Sequence, residues 1–295
     1  MPVNDELGKR MKEYYESIPK TKLMRRTPVA LRIDGKAFHT FTKGFEKPFD
    51  KVLIKSMQET MKYLCENIQG CVLGYTQSDE ITLILVDYKK LNSSAWFDYE
   101  VQKMCSIAAS MATMAFNNAF ERNVEIFFCN EVTDDEANIL NETKYQLFHT
   151  YLKAQEKGAM FDARVFNIPK EEVTNLIYWR QLDAARNSVQ MVGQAYFSHK
   201  QLQNKSCNQI QDMLMTEKGI NWNDFPTYQK RGSCCIKSET TTTAFVEGET
   251  KTVERPHWYI DLNIPQFKNE GREYIDRLIR VDDGCSCPCN PIVIY

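Results

Sequence analysis

The sequence predicts an α+β protein built on a ferredoxin-like sheet with its helices on one face. Three observations lead there. Apolar spacing along residues 1–168 changes in the order strand, helix, strand, strand, helix, strand, the split βαβ arrangement. The stretch GYTQSDEITLILVDY, Gly74 to Tyr88, folds two apolar strands about a polar turn. The composition, 43% hydrophobic and 26% charged over 295 residues, is that of a globular chain long enough to bury a core without staples.

In TPVALRIDG, Val29, Leu31 and Ile33 alternate with Ala30, Arg32 and Asp34, so a strand ends at Asp34-Gly35. From Asp50 to Ile68, Leu53, Met57, Met61, Leu64 and Ile68 recur at helical spacing. CVLGYT and ITLILVDY then form a hairpin joined at Gln77-Ser78-Asp79. Residues 100–120, rich in Ala and Ser, suit a helix lying close against a sheet. Residues 121–158 lack a clear period and are expected to be an irregular insertion, or a helix plus a loop. MFDARVFNI (160–168) is the fourth strand, and Pro169 starts a helix over 170–195. A more polar helix is expected over 199–217, followed by a hairpin turning at Glu247-Gly248. Residues 1–168 thus read as one sheet domain, and 169–295 as a helical and hairpin region packed on it.

The net charge of −2 excludes a global basic field, so any nucleic-acid surface is local. The N-terminal MPVNDELGKRMKEYYESIPK has no apolar core of the signal-peptide kind. No run reaches the roughly 18 to 20 apolar residues that span a bilayer. A cytoplasmic chain without membrane association is expected, with its ten cysteines as free thiols. Cys285, Cys287 and Cys289 are spaced C-x-C-x-C, unlike the paired C-x2-C of structural zinc, and no nearby His completes a ligand set.

The chemistry sits at the hairpin. In the split βαβ order the first strand lies beside it, so Asp34 and the turn residue Asp79, with Glu80 adjoining, become neighbours. Such carboxylates are costly beside apolar surface unless paired, hydrogen-bonded or bound to a metal. Mg²⁺ suits them, because it takes oxygen ligands and completes its shell with water and substrate phosphates. Gly35 lets the backbone come close, and the following KAFHTF offers backbone N–H groups to a triphosphate. The plainer reading of Ser78-Asp79 is an ordinary turn.

The blocks RIDGKAFHTF (Arg32–Phe41), FEKPFD (Phe45–Asp50), GYTQSDE (Gly74–Glu80), FDARV (Phe161–Val165), YWRQLDAARNS (Tyr178–Ser188) and INWNDFPTYQKRGSCCI (Ile220–Ile236) resemble, in order, those of the tRNA-histidine guanylyltransferase family and its guanylyltransferase-like 3′-to-5′ polymerases. The resemblance implies a polymerase-type palm that activates the 5′ end of a tRNA with GTP or ATP. The 3′-hydroxyl of an incoming NTP then attacks that end. It implies that Asp34, the Gly35 carbonyl and Asp79 bind two Mg²⁺ ions, with Glu80 shaping the acidic site. Asp34, Gly35, Lys36, Ala37, Phe38, His39, Ser78, Asp79 and Lys103 would bind nucleotide, and a homotetramer is the family precedent.

Arg180, Asp183 and Asn187 follow helical spacing and read either as a surface ladder or as a wall of the nucleotide and RNA site. Lys200, Lys205, Lys230 and Arg231, near Tyr196, Phe197 and Tyr228, are further candidate RNA contacts or a solvated face. Asp162 and Arg164 share a strand face and are expected to pair. Where the eukaryotic family carries His-Ile-Asn and a further Asn four residues on, this chain has Ala185, Arg186, Asn187 and Met191. That departure favours templated 5′-end repair over dedicated guanosine addition. A nucleotidyl cyclase and a non-catalytic tRNA-binding protein are the competing readings.

Overall fold

A computed structural model describes residues 5–132, 142–246 and 249–281. Its strands are β1 (Val29–Gly35), β2 (Cys71–Gln77), β3 (Glu80–Leu85), β4 (Phe161–Asn167), β5 (Ser233–Val246) and β6 (Glu249–Asp261). They form one antiparallel sheet in the order β4-β1-β3-β2-β5-β6. The expected ferredoxin-like order is thus present. The C-terminal hairpin continues the same sheet, with β5 pairing to β2 through Gly74 and Cys235, Tyr75 and Cys234, and Thr76 and Ser233. Glu247 and Gly248, the expected turn, lie outside the described residues, but the ladder reaches Val246 and Glu249 on either side.

One face of the sheet is covered by α1 (Lys51–Asn67), α2 (Val101–Phe127) and α3 (Glu142–Lys157). Val29, Leu31 and Ile33 point into it, as their alternation requires. α1 begins where the Asp50 carboxylate accepts from the Leu53 N–H (2.8 Å), and it buries Met57, Met61 and Leu64. α2 buries Ala108, Ala112 and Ala119, whose small side chains let the helix lie close to the strands. Phe38, Phe41 and Phe45, from the segment after β1, pack edge-on against Phe116, Phe120 and Tyr151, with centroids 5.0–5.7 Å apart in the contacts that tie that segment down.

The opposite face receives α4 (Lys170–Tyr196) and α7 (Glu273–Ile279), after α5 (Cys207–Lys218) and the short α6 (Thr227–Arg231). The first half of α4 buries Val173 and Ile177 against Ala30, Tyr75 and Ile84. Its second half leaves the sheet, and Val189 and Val192 join Ile210 and Leu214 of α5 in a separate cluster. α4 therefore overhangs the strand ends where β1 and the β2–β3 turn meet.

Three expected boundaries change. The helix over 100–120 runs on to Phe127, and residues 121–158 resolve into that extension, a wider helical turn (Phe128–Val132) and α3. The helix over 199–217 is split into one turn, His199–Leu202, and α5, because Ser206 and Gln209 form a capping box that starts a new helix. The cysteines at 285, 287 and 289 lie outside the described residues, and Cys65, Cys71, Cys105, Cys207, Cys234 and Cys235 are free thiols. Among the described residues, no helix is long and apolar enough to cross a membrane.

Candidate active site

β1 ends beside the β2–β3 hairpin. Asp34 stands opposite Glu80 in the ladder, and the Gly35 N–H donates to the Asp79 carbonyl (3.1 Å). The two-residue turn is closed by Ser78 in a left-handed conformation (φ 51°), with its hydroxyl donating to Asp79 Oδ1 (2.9 Å). A Cβ on Gly35 would sit 2.2 Å from the Phe38 ring, so only glycine admits that ring beneath the strand end. Ala37 is also left-handed (φ 54°) and opens a one-turn helix, Phe38–Phe41. The first N–H groups of such a turn have no partner within it and make a concavity suited to an anion. The chain therefore turns sharply twice at this corner, and residues of both turns line one cleft together with Asp79.

Asp79 and Glu80 are adjacent yet treated oppositely. The buried Glu80 accepts from Arg32, Arg180 and Gln77, so its charge is fully matched by two guanidiniums. Arg180 also bonds Asp183 (3.0 Å). Asp34 has Arg164 as the cation in its surroundings, and that arginine is already bonded to Asp162 (3.2 Å). Burial, then the charges of Asp79, Glu80 and Asp162, push the Asp34 carboxyl above its ordinary range. Burial and the Glu80 charge push Asp79 up as well, against the Ser78 hydrogen bond and its own backbone N–H. Two carboxylates thus converge with their charge uncompensated, an arrangement that a divalent cation would relieve. Among the described residues no three Asp, Glu, His or Cys side chains gather into a self-contained cage. A hard cation here would take two carboxylates, backbone oxygen, water and substrate phosphate, which is how Mg²⁺ is commonly held.

A cleft of about 500 Å³ opens beside the pair and is lined by Asp79 and by Gly35, the neighbour of Asp34. Ala37, Phe38, His39, Ser78 and Asp79 line it on the strand side, Glu46, Asp50 and Leu53 on the α1 side, and Met191 and Gln194 from the α4 overhang. Asn187 lines an annex of about 80 Å³ that shares Asp50, Ser78 and Met191 with it.

The sequence model of the family described as Thg1, tRNAHis guanylyltransferase, matches residues 8–169. The chain belongs to this family. Two solved structures of a bacterial tRNA(His) guanylyltransferase (Thg1)-like protein resemble it over nearly their whole length. The one in complex with ATP is 39% identical with a TM-score of 0.72, covering 94% of this chain and 100% of that one. The one in complex with GTP is 36% identical with a TM-score of 0.70, covering 93% and 99%. The tRNA(His) guanylyltransferase of Schizosaccharomyces pombe is 26% identical, over 73% of this chain and 76% of its own. The tRNAHis guanylyltransferase family is one of nucleotidyltransferases with a palm fold, and its members generally use a divalent metal.

Within this guanylyltransferase-family fold, Asp34, Gly35, Ala37, Phe38, His39, Ser78 and Asp79 converge on one corner, as the sequence suggested. Lys36 is exposed and does not line the cleft, and its N–H donates to the Met160 carbonyl (2.8 Å). Other expected roles need correction. Glu80, expected in the catalytic acidic set, is occupied by its arginines. Lys103 lies towards the far end of the sheet. Thr113 of α2 accepts from the Phe161 N–H beside the site (3.2 Å), whereas Cys105 lies against Val165, the partner of Leu31. Ten helical residues, about 15 Å, separate Lys103 from Thr113. Its ammonium stands 5.0 Å from the Phe97 ring centroid, so it does not reach this chain's cleft. Arg180 and Lys230, candidate RNA contacts, are only 7% and 8% exposed. Arg180 is held by Glu80, and Lys230 donates to the Asn223 carbonyl beneath Trp222. Lys200 and Lys205 are exposed and Arg231 is half-buried. Glu46, Asp50 and Gln194 were missed as cleft residues. For Asp50 a signal existed, an aspartate directly before a helical period.

Proposed function

We propose that this chain adds nucleotides to the 5′ end of a tRNA in the 3′-to-5′ direction, with activation of that end by a nucleoside triphosphate and release of pyrophosphate. The observation that carries this reading is the contrast at the strand mouth. Glu80 is neutralised, while Asp34 and Asp79 keep their charge unmet and Asp79 lines a nucleotide-sized cleft beside them. Asp34, the Gly35 carbonyl and Asp79 would hold two Mg²⁺. When bound, such ions offset charge on the triphosphate and raise the acidity of the attacking hydroxyl. The Ala37–His39 turn would direct its N–H groups at the phosphates of the nucleotide in the cleft. The Glu80 ion pairs fix the hairpin so that Asp79 keeps its aim, and the α4 overhang restricts water.

Selection of the added base is assigned to pairing with the opposing RNA strand. Met191 lines the cleft where the eukaryotic enzymes carry an asparagine, and a thioether offers a guanine edge no strong donor or acceptor. Asn187, Lys200, Lys205 and Arg231 remain the RNA contacts we propose from the C-terminal region, within a cytoplasmic homotetramer. The test is a 5′-monophosphorylated tRNA lacking its first nucleotide, incubated with labelled NTPs and Mg²⁺ at fixed salt. Changing the opposing base from C to A should switch the preferred nucleotide from GTP to UTP. Guanosine inserted at one rate opposite every base would overturn templated repair, and a cyclic nucleotide formed from NTP alone would overturn the RNA substrate.

A further inference from the structure

The cleft takes in Asp79 but not Asp34, and on the sheet face of Asp34 the floor formed with β4 is open, its Asp162 and Arg164 side chains being exposed. Arg32 lies two residues back from Asp34 on the same face of β1, roughly 7 Å along the strand. The ladder sets Arg164 of β4 directly beside Arg32. α4 walls this floor with Trp179 and, two turns on, Arg186. Trp179 is 52% exposed, although the guanidinium carbons of Arg180 and Arg32 stand 4.5 and 5.5 Å from its ring centroid. Those contacts brace the indole and leave much of its surface in solvent. The side chains of Arg164 and Arg186 are 56% and 62% exposed. Each bonds one carboxylate, Asp162 and Asp183 respectively, and a guanidinium with five N–H donors retains capacity for a phosphate.

A braced, exposed indole beside arginines, one strand step from the acidic pair, matches the chemistry of an RNA end. If the cleft holds the nucleotide, the second substrate must reach Asp34 and Asp79 from the open side. Trp179 stands against Arg32, which precedes Asp34 by two residues on the same strand face, so the indole neighbours the acidic pair on that side. We propose that the terminal 5′ base of the RNA stacks on Trp179, with Arg164 and Arg186 meeting the adjoining phosphates. This rests on the reading of the site given above.

The test places 2-aminopurine at the first position of a 5′-monophosphorylated tRNA and reads its fluorescence on binding, without nucleotide. The chain should quench it, Trp179→Phe should keep most of the quenching, and Trp179→Ala should lose it. In nucleotide addition, Trp179→Ala should raise the KM for RNA by about 5- to 100-fold, the range of one lost base stack. ATP binding measured without RNA should stay unchanged. Quenching that survives in Trp179→Ala would overturn the proposal. So would a fall in ATP affinity and thermal midpoint with an unchanged KM for RNA, which would make the ring only a brace for Arg180. Quenching of free 2-aminopurine triphosphate that depends on Trp179 would reassign the platform to the incoming nucleotide and overturn it too. Because quenching needs no chemistry, it stands or falls separately from the addition reaction.

Discussion

Glu80 and the Asp34–Asp79 pair occupy one strand mouth, yet the fold resolves their charges in opposite ways. Behind the mouth, Glu80 is buried among Arg32, Arg180 and Gln77. In front, Asp34 and Asp79 converge without a matching cation and have raised proton affinity. A buried carboxylate with two guanidiniums is structural, because removing one partner strands the others. A convergent pair without any destabilises the folded chain unless something binds there. The comparison teaches that acidity alone does not mark the reactive residues. The missing partner does.

The largest effect should come from breaking the front pair. Asp34→Asn and Asp79→Asn should each lower nucleotide addition by more than about a hundredfold, the upper cost of losing even an outer partner of a metal site. The fold should survive, read as a single cooperative unfolding transition that is retained and not lowered. Addition at near wild-type rate by either variant would remove the metal assignment.

The rear cluster should answer with stability instead. Arg180→Leu leaves Glu80 buried with less compensation and should cost about 3–5 kcal/mol in denaturant unfolding. A loss below about 1 kcal/mol would show that Arg32 alone suffices and that the contrast is overstated.

Asp50 offers an intermediate case, a carboxylate of the cleft wall that has donors but no cation. It caps α1 and accepts from the Tyr151 hydroxyl (2.6 Å) and the Glu46 N–H (2.9 Å), while burial raises its proton affinity. Asp50→Ala loses the cap, about 1 kcal/mol, and strands a buried hydroxyl, about 1–3 kcal/mol. Thermal or chemical unfolding should show a sum of about 2–4 kcal/mol, with Asp50→Asn retaining most of it. Equal losses for both variants would mean that charge, and not hydrogen bonding, holds that corner.

Much of this was legible in the residues. Alternation in Val29–Ile33 and the polar turn at Ser78-Asp79 are local signals, and the split βαβ order brings Asp34 to Asp79 without any side-chain detail. What failed depended on distance or direction. Helical spacing put Arg180 and Asp183 on one stripe but could not say that the stripe faces Glu80 from α4, a hundred residues away. Lys103 sits on a helix whose direction along the sheet follows from its packing on β4 and not from its own pattern. Lys230 lies in a basic run, yet one turn of helix carries its ammonium inward to the Asn223 carbonyl. The break before α5 was written locally, in the Ser206 and Gln209 capping box.

The most direct test of the central claim compares thermal midpoints of the wild type, Asp79→Asn and the exposed-carboxylate control Glu66→Gln, at the end of α1 away from the cleft, with and without Mg²⁺ and ATP. In the folded chain Asp34 and Asp79 have raised proton affinity, so the folded state holds more protons than the unfolded state as they titrate. Without metal, this penalty on stability grows as pH rises through the raised values and fades as pH falls towards the ordinary carboxylate range. Asp79→Asn should therefore melt higher than the wild type at about pH 7, with the gap closing at lower pH. Mg²⁺ and ATP at about a hundred times Kd should stabilise the wild type and Glu66→Gln by about 2.7 kcal/mol, and Asp79→Asn far less. An equal shift in all three proteins would contradict the account, because the nucleotide and its metal would then be bound without the pair that the fold leaves uncompensated.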